Sequence, residues 1–173
     1  MKKLFAALLV LPFLAFVAAD WVTVQLDEKV SVSFPSAPQE KEMAGNQVWV
    51  QDIDKDARCM AMVLDFSKFG LDSAGLAEEM GKDQAFADFR GGILGQIQGA
   101  TLISEKKGKI NGKIYFEYVI NMGKNDDKDA LNIMYSRNIF VSNKMYTLSF
   151  YEKNNMPREK DRNKFYNSFK LAY

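Results

Sequence analysis

Four short stretches of this sequence bring together residue types that can do chemistry. In residues 87–100, ADFRGGILGQIQGA, four glycines sit in an apolar run. A glycine-rich loop holds phosphate when it follows a strand and opens a helix, because free amides at the helix N-terminus then face the anion. Here the glycines come late in a helical pattern, after QAFADFR, where the helix ladder consumes the amides, and no Gly-Lys-Ser/Thr follows. Nucleotide binding is therefore not expected. The second stretch, DIDKDARCMAMV, alternates Asp52, Asp54 and Asp56 like the start of a calcium loop. A loop of the EF-hand type then needs Gly at its sixth position and Glu at its twelfth. Those positions are Ala57 and Val63, so the stretch reads as an acidic turn between strands; NDDKD at 125–129 reads as a polar hairpin loop. In the third, Ser104 and Lys107 form a Ser-x-x-Lys pair. Such a pair works on a helix, where i and i+3 share a face, but this one falls on a strand pattern, where they point apart. In the fourth, Cys59 is the one cysteine, so no intramolecular disulfide can form, and its strand setting implies a buried, inert thiol. Histidine is absent, which removes the commonest general base and metal ligand. No catalytic, cofactor-binding or metal-binding residue is assigned, and no cofactor is expected.

The glycines do have a spacing. Gly91, Gly95 and Gly99 recur at i, i+4 and i+8, opposite a face formed by Phe86, Phe89, Ile93 and Ile97. Two readings stay open. The three are interaction candidates, where a partner or another element packs closely against bare backbone. Alternatively they form a solvent-facing, weakly stable last turn, since each glycine costs a helix up to about 1 kcal/mol relative to Ala.

The elements that must position these residues follow from the hydrophobic pattern. Lys2 and Lys3 precede an apolar run over 4–17 that ends in Val17-Ala18-Ala19. The run is shorter than the roughly 20 residues of a membrane span. It reads as a secretory signal peptide, residues 1–19, cleaved after Ala19, with no cysteine near the cut for lipid attachment. That predicts a periplasmic or secreted protein without a stable membrane anchor. Losing two lysines and no acid turns the formal +1 charge into −1, a balance that gives no case for nucleic acid or an anionic membrane as partner.

Residues 20–173 then suit a single domain. Alternating β-branched and aromatic residues predict strands at 21–26, 30–34, 46–53 and 57–66, with PSAPQ as an extended connector. A short helix at 73–80 breaks at Gly81; a second begins with Asp83 as N-cap and ends at Gly99. A meander follows: 101–110, the Asn111-Gly112 hairpin, 113–122, a polar loop, then 131–142 and 145–153 around Asn143-Lys144. Pro157 opens a closing helix with Phe165 and Phe169 as an apolar pair. The result is α+β, an antiparallel β-sheet flanked by helices. Met60, Met62, Met122, Met134 and Met145 fall on strands among Phe116, Tyr118, Tyr135, Tyr146 and Phe150. They serve either as core or as the lining of a pocket for a small apolar ligand between sheet and helix.

Several stretches carry a resemblance. VSVSFPSAPQEKE, with its Phe-Pro-x-x-Pro step, FRGGILGQIQGATLISEKKGKINGKIYFEY, SRNIFVSNKMYTLSF (Arg137, Tyr146, Leu148) and NKFYNSFKL (Phe165, Ser168, Phe169) resemble small bacterial exported members of the PsbP-like α/β/α sandwich superfamily. The hairpin departs from the common Pro-Gly of relatives with Asn111-Gly112. The superfamily includes an accessory subunit of the photosynthetic water-oxidising complex and a Ran-binding nuclear import factor. The resemblance implies a fold and a noncatalytic binding or assembly-support role through contacts with a protein partner. It carries over no catalytic residues and no photosynthetic role. A carrier of a small apolar ligand is the alternative, and an enzyme with a site assembled from distant residues the third. Mass spectrometry of the exported protein is expected to find a chain that starts at Asp20; a chain that retains Met1 would contradict the signal-peptide reading.

Overall fold

In the computed structural model, which describes residues 21–123 and 130–172, the alternating stretches become strands with apolar side chains on both faces. The signal segment and the polar loop at 125–129 lie outside the described residues. The chain runs β1 (Val22–Gln25), β2 (Val30–Phe34), β3 (Gln39–Met43), β4 (Asn46–Asp54) and β5 (Ala57–Asp65), then a 3-10 turn (Phe66–Phe69). The helices α1 (Ser73–Gly81) and α2 (Asp83–Gln96) follow, then β6 (Thr101–Ile110), β7 (Lys113–Asn121), β8 (Ile133–Val141) and β9 (Lys144–Glu152), and finally α3 (Glu159–Asn167) and β10 (Lys170–Leu171). Seven strands pair antiparallel in the order β3-β4-β5-β9-β8-β7-β6, and β1-β2-β10 form a smaller sheet. The fold is α+β, as the pattern predicts.

Two cores flank the large sheet. On one face, Ala57, Cys59, Ala61, Ile139, Leu148 and Phe150 meet Val30, Val32 and Phe34 of β2 and Phe165, Tyr166 and Phe169 from α3 and its end. On the other, Phe116, Tyr118, Ile120, Met134, Phe140 and Met145 meet Leu76, Met80 and Ala85, with Phe86, Phe89, Ile93 and Ile97 packed against them. The helical face expected from Phe86, Phe89, Ile93 and Ile97 therefore does point at a core. Met134 and Met145 are core residues.

Local chemistry sets the turns. Asn111 (φ 50) and Gly112 (φ 75) both adopt left-handed backbone, the conformation that lets a two-residue loop follow the twist of β6 and β7. Ala44 (φ 50) and Gly45 (φ 75) do the same between β3 and β4. β3 is a strand the sequence pattern does not predict: its residues QEKEM are all exposed, so no apolar alternation marks it. Three expected boundaries shift. Asp83 is the first residue of α2 rather than its N-cap; Lys82 holds that place without a capping side-chain hydrogen bond, whereas Asp72 caps α1 by accepting from the Gly75 amide at 2.8 Å. Ile97 is extended (φ −117), so α2 ends at Gln96 and Gly99 (φ 77) lies in the turn beyond. Lys144 pairs with Val141, which makes Ser142-Asn143 the β8–β9 turn.

Charged residues fasten α3 to the sheet. Glu152, 2% exposed, accepts from the Tyr135 hydroxyl and the Arg158 amide at 2.9 Å each, and from Arg162 at 3.2 Å. The Arg162 guanidinium also stacks 3.8 Å from the Tyr135 ring. Arg137 reaches Glu117 at 2.9 Å and lies 4.4 Å over the Tyr166 ring. The Tyr166 hydroxyl is buried without a hydrogen-bond partner among the described residues. Glu152→Gln is expected to lower stability by about 3 kcal/mol, because Arg162 loses its buried counter-charge. Tyr166→Phe, which removes an unsatisfied buried donor, is expected to leave Tm unchanged or raise it. Thermal denaturation followed by circular dichroism checks both.

Candidate functional site

A convergence of ionisable groups beside an open cleft lies where the β1–β2 turn meets the β8–β9 turn. The Asp27-Glu28-Lys29 turn folds back because Asp27 Oδ1 accepts from the amides of Lys29 and Val30, each at 2.9 Å. Its Oδ2 accepts from Lys144 Nζ at 2.8 Å and from the Tyr146 hydroxyl. A polar cleft of about 490 Å³ opens beside this cluster, lined by Lys29, Gln47, Ser142 and Asn143 among others. Burial alone would raise the Asp27 carboxyl; Lys144, Tyr146 and the two amides outweigh it and bring the pKa down to about 2. Burial and the adjacent Asp27 carboxylate push the Tyr146 phenol well up. A general acid or base needs a pKa near the working pH. Both groups are displaced from that range, so the cluster works as a clasp between the two sheets.

The three aspartates of the acidic stretch do not converge. Asp52 pairs with Arg58 at 2.5 Å, Asp54 with Arg158, and Asp56 with Lys153 at 2.8 Å. Each is committed to its own cation, and among the described residues no three metal-ligating side chains gather. Ser104 sits opposite Val119 and Lys107 opposite Phe116, on different faces of β6. Lys107 turns to the helices, donating to the Gly81 carbonyl at 2.7 Å and to Asp83 at 3.1 Å. Cys59 is buried, and burial, reinforced by Asp161, pushes its thiol up, away from the reactive thiolate.

Gly91, Gly95 and Gly99 are all exposed, Gly91 and Gly95 on α2 and Gly99 beyond its end. A Cβ placed at any of them would meet nothing within 4 Å, but a Cβ on Gly123, just past β7, would lie 2.9 Å from the Gly99 carbonyl oxygen, so the chain after β7 packs on Gly99 while Gly91 and Gly95 face open space. The space between sheet and helices, where an apolar ligand was one expectation, is filled with rings: Phe86–Phe116 and Phe116–Phe140 centroids lie 5.0 Å apart and Phe86–Tyr118 5.3 Å. Beyond those rings a small cavity of about 180 Å³ remains between α1 and the sheet, lined by Leu76, Ala77, Met80, Ile114 and Phe140 among others, and a larger apolar groove of about 390 Å³ lies on the outside between α1 and α2. Sequence reasoning missed the Asp27–Lys144–Tyr146 cluster, because Asp27 lies more than a hundred residues from the other two; the one local signal is an aspartate opening a tight turn.

No protein-family model matches the sequence, and no curated protein matches it significantly. Solved structures do resemble it. The solution structure of cyanobacterial PsbP (CyanoP) from Synechocystis sp. PCC 6803 superposes with a TM-score of 0.61 at 12% identity, over 91% of this chain and 96% of that one. A protein of unknown function from Pseudomonas aeruginosa gives 0.43 at 13% identity, over 78% and 84%. A protein from Bacteroides thetaiotaomicron gives 0.40 at 10% identity, over 83% of this chain and 45% of that one.

The lowered pKa of Asp27 has a defined consequence. The folded value lies below the ordinary 3.8, so its stabilisation is complete above about pH 4 and disappears as pH falls through about 2. Asp27→Asn is expected to cost about 2 kcal/mol at pH 7, where it removes charge-assisted hydrogen bonds. Urea unfolding at a series of pH values should show the gap to the parent protein narrowing below about pH 4; a gap independent of pH would contradict the clasp.

Proposed function

On the premise of a PsbP-like fold, we propose that this chain is an exported, noncatalytic binding or assembly-support module that acts through protein–protein contacts. The observation that carries this reading is the use to which its reactive groups are put. Asp27, Tyr146, Cys59 and Tyr166 are all displaced away from neutral poise, and Glu152, Arg137, Asp52 and Asp54 are engaged with partners inside the domain. Chemistry at neutral pH needs a poised group; recognition needs only a surface. Export and a periplasmic or secreted location rest on the signal-peptide pattern of residues 1–19. Among the described residues, no helix is long and apolar enough to cross a membrane.

The ring-filled layer between sheet and helices favours this reading over a carrier of a small apolar ligand. Cross-linking in the producing cell, followed by identification of the adduct, separates the two. The binding module is expected to give one discrete adduct with a single polypeptide. A native mass exceeding the denatured mass by a few hundred daltons, with no polypeptide adduct, would support the carrier and overturn the proposal.

A further inference from the structure

We infer that the outer groove between α1 and α2 seats a basic amphipathic helix of a partner polypeptide; this rests on the binding-module reading and names the partner's chemistry. Met80, Phe89, Gly92 and Ile93 line the groove, and Glu79 and Asp88 stand at its rim. Phe89 and Ile93 pack inward against the core, so the floor is held by the fold rather than by a mobile side chain. Gly92 gives the groove its depth: a Cβ there would meet nothing within 4 Å, and a partner helix can approach the α2 backbone directly. Two adjacent helices offer a third the ridges and grooves that helix packing uses, with apolar anchors at i, i+3 and i+4.

Charge selects the partner's sign. From residue 71 to 96, Asp72, Glu78, Glu79, Asp83 and Asp88 outnumber Lys82 and Arg90, and the excess remains after Lys107 of β6 takes the Asp83 carboxylate at 3.1 Å. Arg90 is committed to Glu105 at 2.7 Å. Lys82 holds Glu79 at 2.6 Å, but both side chains are about half exposed (52% and 48%), and such a surface pair yields readily to a competing cation. Asp88 accepts from the neutral amide of Gln84 at 2.7 Å. An apolar floor with acidic margins matches a helix that has an apolar face and flanking Lys or Arg, and repels an acidic one.

The test is fluorescence anisotropy with the purified exported protein and three labelled peptides of equal length. One is a helix-forming Leu/Ala peptide with lysines flanking the apolar face, one has the same composition scrambled, and one has glutamates in place of the lysines. The lysine peptide is expected to bind saturably and more weakly as salt rises, with the other two at least about tenfold weaker. Gly92→Lys fills the groove and reverses its charge while improving helix propensity, so binding should fall at least about tenfold with no loss of Tm. Asp88→Asn should weaken binding by a smaller factor. Equal binding of the scrambled or glutamate peptide, absence of binding, or binding unchanged by Gly92→Lys would overturn the inference. So would a concentration-dependent dimer that Gly92→Lys abolishes, since the occupant would then be a second copy of this chain. A polypeptide cross-linked in cells through a different face would refute the groove and leave the binding-module reading standing.

Discussion

A sheet that carries apolar side chains on both faces must be covered twice, and the rest of this structure follows from that constraint. Along β7, β8 and β9 successive residues alternate between two cores: Phe116, Phe140 and Met145 on one side, Ile139, Leu148 and Phe150 on the other. Neither face can be left to water, because each large buried side chain is worth about 1.5–3 kcal/mol. The helices α1 and α2 shield one face. The other is shielded by β2 and α3, elements from opposite ends of the chain, joined through β10. The hairpins that keep β6 to β9 in sequence order make the slab, and the remaining elements are its covers.

Covers made of separate elements need fastening, and the charged residues supply it. Asp27 with Lys144 and Tyr146 ties the small sheet to β9, and Glu152 with Arg162 and Tyr135 ties α3 to the end of the slab. On the opposite face Lys107 and the Tyr118 hydroxyl hold the helix layer through the carbonyls of Gly81 and Phe86. On the binding-module reading proposed above, what the molecule offers a partner is shape and surface charge, and the helix layer, with an acidic excess over a glycine-backed groove, is where the two coincide.

The large elements were legible because periodicity reports burial. Phe86, Phe89, Ile93 and Ile97 recur at helical spacing and do face a core; Asn111-Gly112 is a hairpin for the stereochemical reason its sequence implies. β3 was not legible, because an all-exposed edge strand has no apolar alternation, and its turn begins with Ala44 rather than a residue that favours positive φ. The misplaced cap at Asp83 shows a local rule losing to context: Lys107 reaches across from β6 to take that carboxylate. The clasps were illegible for a different reason. Asp27 meets Tyr146, 119 residues away, only once both sheets have formed, and a glutamate such as Glu152 looks like a surface residue until an arginine from α3 buries it.

The central claim is that the two-faced slab is the stable unit and that its covers dock on it. Native-state hydrogen exchange measures this directly, because amides report the free energy of the smallest opening that frees them. The account predicts the slowest exchange in β8 and β9, which have a paired strand on each side and a core on each face, with α1 and α2 opening at lower free energy. Helix amides that exchange as slowly as those strands, or protection spread evenly over the domain, would contradict it.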